Sequence, residues 1–111
     1  MPLYLTQFAY TPEAWAALAQ NPEDRTAAVA AACEQYGCRL RELFYCFGDY
    51  DGLVLVEAPD ETAVAAVLIG AVAAGHLKAM RTTVLLTAAQ ATEAMRRAGA
   101  LGYAPPGEAA G

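Results

Sequence analysis

The fold is decided in the middle of the chain, which reads GDYDGLVLVEAPD over residues 48–60. The Asp-Gly pair at residues 51–52 is typical of the tight turn between two antiparallel strands. Residues 53–56 are apolar at neighbouring as well as at alternate positions, which indicates a strand covered on both faces. The Pro-Asp pair at residues 59–60 favours a helix start. This stretch therefore predicts a hairpin at the centre of a covered sheet, followed by a helix.

Outward from the hairpin, strand and helix patterns alternate. Thr-Pro-Glu at residues 11–13 and Asn-Pro-Glu at residues 21–23 favour helix starts, and Thr-x-x-Gln at residues 87–90 matches a capping box. Three glycines are expected to end helices, namely Gly37, Gly75 and Gly99. We predict strands over residues 2–10, 38–47, 53–58 and 76–86, and helices over residues 11–20, 22–36, 59–75 and 87–98.

The resulting order, β-αα-β-β-α-β-α, places two βαβ-like halves around a central hairpin. This is the ferredoxin-like pattern of the α+β class, with a four-stranded antiparallel sheet. Right-handed crossovers would place both major helices on one face of that sheet. We expect one domain over residues 1–99 and a flexible tail over residues 100–111.

The second face of the sheet is the basis for predicting an assembly. A sheet covered on one side only would be polar on the other, but here both sets of alternating side chains are apolar or aromatic. The expected opposing sets are Leu3 and Leu5 against Tyr4 and Phe8, Leu40 and Phe44 against Leu43, Tyr45 and Phe47, and Met80, Val84 and Leu86 against Leu77, Ala79 and Leu85. We therefore expect the open face to be buried against a second copy, as in a dimeric α/β barrel. The alternative is a monomer with aromatic residues scattered over its surface.

Composition excludes several function classes. The chain has 111 residues, of which 57% are hydrophobic, enough for one modest core. Its net charge of −5 argues against nucleic acid and against an anionic membrane surface as partners. No signal peptide or membrane-length apolar run is expected, so we predict a cytoplasmic protein. The chain contains no serine, which removes a serine nucleophile.

The cysteines and the remaining motif classes suggest no metal or cofactor. An odd count of three, Cys33, Cys38 and Cys46, is a poor disulfide framework and fits small apolar residues in a reducing compartment. No His, Asp or Glu cluster has the spacing of metal ligands, and no glycine-rich nucleotide fingerprint follows a strand. We predict no metal and no cofactor, while a metal or redox role of the cysteines stays open.

Three parts of the sequence together resemble the GYD domain family. They are the stretch over residues 48–60, the tyrosine-rich first strand and the NPEDR segment at residues 21–25. The resemblance covers roughly residues 3–98, and it implies membership of the dimeric α/β barrel group. That group includes cofactor-independent monooxygenases, haem-degrading enzymes, isomerases, decarboxylases, stress proteins and pure ligand-binding domains. The fold does not choose among these activities.

Three polar residues are candidates for catalysis. His76 is the single histidine, and imidazole is the side chain best suited to moving protons near neutral pH. A solvated or capping role is the commoner one for a histidine at a strand start, and no second feature supports His76 as a haem ligand. Glu57 interrupts an apolar strand, so it must be paired, solvated or used. Arg81 is a possible partner, as are Arg39 and Arg41.

The Gly-Asp-Tyr-Asp turn has two interpretations. In the first, the loop closes over a cavity with Asp51 as a base. In the second, Gly48 and Gly52 supply positive φ angles, Asp51 bonds to amides of its own turn, and Tyr50 packs on the sheet or on a partner subunit. The structural interpretation is the favoured one.

The aromatic residues are candidates for ligand binding as well as for packing. We expect some of them to line a pocket for a flat apolar molecule, the candidates being Tyr4, Phe8, Trp15, Tyr45 and Phe47. Tyr4 and Tyr45 are favoured, because central strands would bring them to one face. The predicted function is a homo-oligomer that binds a small hydrophobic or aromatic molecule. The alternative is a cofactor-independent monooxygenase, isomerase or cyclase acting on an aromatic or polyketide-like substrate.

Overall fold

The structure, a computed structural model, describes residues 1–107. The elements are β1 (Leu3–Tyr10), α1 (Pro12–Gln20), α2 (Thr26–Glu34), β2 (Arg39–Tyr45), β3 (Gly52–Glu57), α3 (Glu61–Ala73), β4 (Leu77–Leu85) and α4 (Ala88–Leu101). The strands form one antiparallel sheet in the order β2-β3-β1-β4. The predicted element order and the ferredoxin-like α+β fold are confirmed.

The helix starts follow from side chains that cap free backbone amides. The Thr11 hydroxyl accepts a hydrogen bond from the Ala14 nitrogen at 3.1 Å, and the Asp60 carboxylate accepts one from the Ala63 nitrogen at 2.9 Å. At α4 the capping box over residues 87–90 is complete in both directions. Each cap satisfies an amide that has no partner within its helix.

Two helix boundaries differ from the prediction. The second helix begins at Thr26 and not at Pro22, because the Asp24 carboxylate accepts a hydrogen bond from the Thr26 nitrogen at 2.9 Å and holds the preceding residues in a turn. The last helix passes through Gly99 and ends at Gly102, which has a φ of 70°. Residues 100–101 are therefore helical, and residues 108–111 of the predicted tail lie outside the described part of the chain.

The alternate side chains of β1 divide the sheet into two faces. Tyr4, Thr6, Phe8 and Tyr10 are buried on the face covered by α2 and α3, which we call the helix face. The other set, which begins at Leu3, belongs to the open face. Register carries this division to the neighbouring strands, since directly paired residues share a face.

Two β-bulges correct the predicted faces. The register shifts at Arg41, so Leu40 lies on the helix face and Phe44 on the open face, although the sequence predicted one face for both. A second shift in the pairing of β1 with β4 places Leu77 opposite Tyr10 and so on the helix face. An extra residue in a strand reverses the parity of everything beyond it.

The core lies between the sheet and the helices α2 and α3. Its buried residues are Tyr4, Cys33, Cys38, Val56, Ala58 and Val64. By contrast, no residue of α4 is buried, and the molecule measures 64 × 28 × 22 Å. Over residues 1–107, no helix is long and apolar enough to span a lipid bilayer.

Candidate functional site

A cavity of about 120 Å³ lies between the helix face and the helices α2 and α3. Its walls are mostly apolar. The lining residues are Thr6, Phe8, Tyr10, Arg25, Val29, Cys33, Leu43, Val54, Val56, Val64, Val67, Leu68, Ala71, His76 and Leu77. The strand period of two and the helical spacing of three or four together direct these side chains to one place.

Polar groups gather at one end of this cavity. β1 ends at Tyr10, Leu77 lies opposite Tyr10, and α2 begins just after Arg25. His76 precedes Leu77, and its backbone oxygen accepts a hydrogen bond from the Thr11 nitrogen at 3.0 Å. The topology thus brings a phenol, a guanidinium and an imidazole to one end of the cavity, which we call the polar end (Tyr10, Arg25 and His76).

At the polar end, Tyr10 is hydrogen-bonded to a second tyrosine, Tyr45. The hydroxyl groups of Tyr10 and Tyr45 are 3.0 Å apart, and either can be the donor. Burial and then the bond with Tyr45 raise the pKa of Tyr10 well above its usual range, while the charge of Arg25 acts in the opposite direction. Phe8 and Trp15 pack edge-on against the Tyr10 ring, with centroid distances of 5.2 and 5.1 Å. The Tyr10 phenol is therefore a neutral group in a fixed position.

Asp51 connects the hairpin to the polar end. One oxygen, Oδ2, accepts hydrogen bonds from the Tyr10 nitrogen at 2.9 Å and from the indole nitrogen of Trp15 at 3.1 Å. The Asp51 nitrogen donates to the Phe8 oxygen at 2.8 Å. The expected bonds from the carboxylate to amides of its own turn are therefore replaced by bonds to β1 and α1.

The glycines of the turn act differently from one another. Gly48 has a positive φ of 146°, as predicted, whereas Gly52 does not have a positive φ. A Cβ atom at Gly52 would lie 2.9 Å from the Phe44 oxygen and would collide with the ring of Phe8. Gly52 is needed because the backbone and this ring approach closely. The Tyr50 side chain is half-buried, and the backbone carbonyl oxygen of Tyr50 accepts a hydrogen bond from the Cys46 thiol at 3.3 Å.

The three candidate catalytic residues are not brought together within one chain. His76 borders the cavity, but Glu57 is paired with Leu3 and Arg81 with Gln7, which places both on the open face. Among the possible arginine partners, it is Arg41 that forms an ion pair with Glu57. A catalytic group made of all three would need residues from more than one chain.

The five aromatic candidates have different positions. Phe8 lines the cavity, and Trp15 and Tyr45 lie next to Tyr10 outside it. Tyr4 is buried in the core on the same face as Tyr45, but at the opposite end of the sheet. Phe47 is 99% exposed beyond β2. Tyr45 shares the helix face with Phe8, because both are paired with Gly52.

Tyr10 and Arg25 were not among the candidates from sequence. Tyr10 has the parity of Phe8 in the first strand, which placed it on the same face. Arg25 ends the NPEDR segment that carries part of the family resemblance. Their joint position depends on which strands are paired, and local patterns do not contain that information.

The cysteines are poorly suited to nucleophilic or metal chemistry. All three are free thiols. Burial raises the pKa of Cys33 to about 11 and also raises the pKa of Cys38, so both stay protonated at neutral pH. Within residues 1–107, no group of three or more His, Cys, Asp or Glu side chains converges on a point where a metal ion could bind.

The sequence profile of the GYD domain matches residues 4–95. The chain belongs to the GYD domain family. No curated protein matches it.

Among solved structures, the GYD chain is similar to MtbAldR, with a TM-score of 0.55 and 12% identity over 78% of this chain and 52% of that one. It spans about half the length of MtbAldR. A protein from Thermus thermophilus gives a TM-score of 0.51 and 16% identity over 79% and 96% of the two chains. An antibiotic biosynthesis monooxygenase gives a TM-score of 0.47 and 18% identity over 78% of this chain and 98% of that one. At these identities, the first two likenesses show the ferredoxin-like fold alone.

The role of Asp51 gives a prediction for stability. Asp51→Ala should lower the free energy of unfolding by about 2–4 kcal/mol, because two donors lose a charged acceptor. It should also shift the fluorescence of Trp15, the single tryptophan. Urea unfolding and emission spectra measure both effects. Asp49→Ala, an exposed acid in the same turn, is the control. Equal effects of the two variants would show that the bonds of Asp51 do not stabilise the fold.

Proposed function

We propose that this GYD protein binds a small hydrophobic or aromatic molecule in the cavity between its sheet and helices. The observation that supports this proposal is an apolar cavity of about 120 Å³. An engineered apolar cavity of about 150 Å³ stays dry and takes up benzene, so the size suits a molecule with one aromatic ring.

The apolar walls of the cavity support the same function. Moving apolar surface out of water is favourable by about 25 cal/mol per Å². A ligand in the cavity would recover contacts that the empty protein lacks. The four lining residues of α3 include no polar side chain that could hold water there.

We further propose that the protein acts as a homodimer or a higher even oligomer, in the cytoplasm. The open face supports the assembly, since its side chains include Leu3, Leu5, Leu53, Leu55 and Leu85. Phe44 on the same face is 54% exposed. Gln7, Glu57 and Arg81 lie on the same face, so these apolar side chains form a patch with polar neighbours. Apolar patches with a polar rim are typical of protein–protein interfaces. The free thiols fit a reducing compartment.

A cofactor-independent enzyme is the second candidate function. The position of His76 supports it, because the imidazole and the Tyr10 phenol border the same apolar cavity. A substrate bound there would lie beside one group that can move a proton and one that can donate a hydrogen bond. Asp51 is less suited to act as a base, since its Oδ2 oxygen already accepts two hydrogen bonds.

Filling the cavity tests the binding function. Toluene at saturating concentration should raise the Tm by roughly 5 °C, because it binds the folded state alone. Val67→Phe fills part of the cavity and should abolish this shift. Ile69→Phe, on the exposed side of the same helix, should keep it. Differential scanning fluorimetry measures all three proteins. A wild-type Tm that toluene leaves unchanged would contradict the proposal.

A charge on the open face tests the assembly. Phe44→Asp should convert the oligomer to a monomer that stays folded, since this side chain is already half exposed in one chain. Native mass spectrometry measures the mass, and circular dichroism checks the fold. Ile69→Asp, on the outer side of α3 and 65% exposed, should leave the oligomer intact. An oligomer that persists in Phe44→Asp would exclude this face as the interface.

The enzyme candidate is tested by the loss of a metabolite. An extract of small aromatic metabolites is incubated with the wild-type protein and with His76→Ala, and mass spectrometry follows each compound. The enzyme interpretation predicts a compound that only the wild type consumes. If the variant consumes it equally fast, His76 is not a catalytic residue. Native mass spectrometry of the variant confirms that its oligomer is unchanged.

A further inference from the structure

We infer that the molecule held in the cavity carries a carboxylate group, which Arg25 binds at the polar end. This inference rests on the proposed binding function and specifies its ligand as an aromatic or short branched carboxylic acid. The apolar walls would hold the hydrocarbon part, and the polar end would fix its orientation.

The charge of the lining residues carries the inference. Among the side chains that line the cavity in residues 1–107, Arg25 is the one permanent charge, and there is no carboxylate. The rest are apolar, apart from two hydroxyl groups, one thiol and the imidazole of His76. Acidic residues outnumber basic ones in this chain, whose net charge is −5. Composition alone therefore does not explain why a cation lies beside the apolar cavity. A cation on a wall that carries no carboxylate attracts an anionic group on a ligand.

The guanidinium of Arg25 has donors to spare. Its Nη1 atom donates to Glu23 at 3.1 Å, and the two side chains are 31% and 53% exposed. A guanidinium carries five N–H donors, so its contacts with Glu23 and with the Tyr10 hydroxyl leave most of them free. The Glu23 pair is exposed to solvent, and pairs of this kind contribute little to stability. A ligand could share Arg25 with Glu23 or displace it at low cost.

The neighbouring groups also favour an acceptor. The Tyr10 and Tyr45 hydroxyls share one hydrogen bond, which leaves one of their two protons available. Asp51, the nearest acid on the hairpin, is directed to the Tyr10 nitrogen and to Trp15. Burial keeps the Tyr10 phenol protonated, so it remains a donor at neutral pH. A carboxylate would thus meet a planar two-pronged donor and a phenol.

The geometry of a single arginine favours a carboxylate over a phosphate. The planar fork of a guanidinium matches the two oxygens of a carboxylate. A phosphate group usually requires a glycine-rich loop or several cations, and the lining residues provide neither. The cavity volume then limits the rest of the molecule to about one ring or a short branched chain.

Benzoate and benzamide test the inference, because they have nearly the same shape but only benzoate is charged at pH 7. Isothermal titration calorimetry on the wild-type oligomer should show benzoate binding at least tenfold more tightly than benzamide. Arg25→Gln should remove this preference while leaving the Tm shift by toluene intact. Arg25→Lys, which keeps the charge but not the fork, should retain part of it. The matched control is Arg96→Gln, which removes a similar exposed ion pair on α4.

The outcomes separate the inference from the proposed function. If toluene binds but benzoate does not exceed benzamide, the inference is overturned and the apolar binding function stands. A benzoate preference that Arg25→Gln leaves unchanged would also overturn it. If none of the three probes binds, both the function and the inference are overturned. Circular dichroism of each variant shows that the loss of binding is not a loss of fold.

Discussion

The carboxylate of Asp51 joins the end of β1, the first helix and the central hairpin at one point. The Tyr10 nitrogen and the Trp15 indole both donate to it, and its own backbone nitrogen donates to Phe8. These contacts fix the direction in which the chain leaves the sheet. The Tyr10 ring, whose hydroxyl borders the cavity, depends on that direction. A carboxylate taken partly out of water is costly unless it is hydrogen-bonded. Separating the three segments would therefore lose these hydrogen bonds as well as the packing between the segments.

The fold could be predicted where the signals are local. Thr11, Asp60 and Thr87 cap their helices as their sequence context indicates, since each cap is a contact over three residues. The bulge at Arg41 could not be predicted, because it depends on how β2 pairs with β3. The start of α2 was missed although the contact that decides it is local. A Pro-Glu pair favours a helix at residue 22, but the bond of Asp24 to Thr26 holds a turn there instead.

The site could be predicted only in part, and the reason is parity. Both faces of the sheet are apolar, so the alternation in β3 does not say whether Leu55 or Val56 faces the helices. Glu57 shares the parity of Leu55, and its position on the open face could be known only from the packing of α2 and α3. Phe8 and His76 were identified from residue type. Arg25 was not, because an arginine between two helices is typical of a solvated surface residue.

The cavity and the proposed interface are two sides of the same strands. In β3, Val54 and Val56 line the cavity while Leu55 between them lies on the open face. A strand is stiff over three residues, so a second copy packed on Leu55 would also fix the backbone that carries the cavity wall. In the homodimer that we propose, ligand binding and assembly would each order the backbone of β3. Each would therefore stabilise the other without any change of fold. The ion pair of Glu57 with Arg41 lies on this same face, at the end of the sheet far from Arg25.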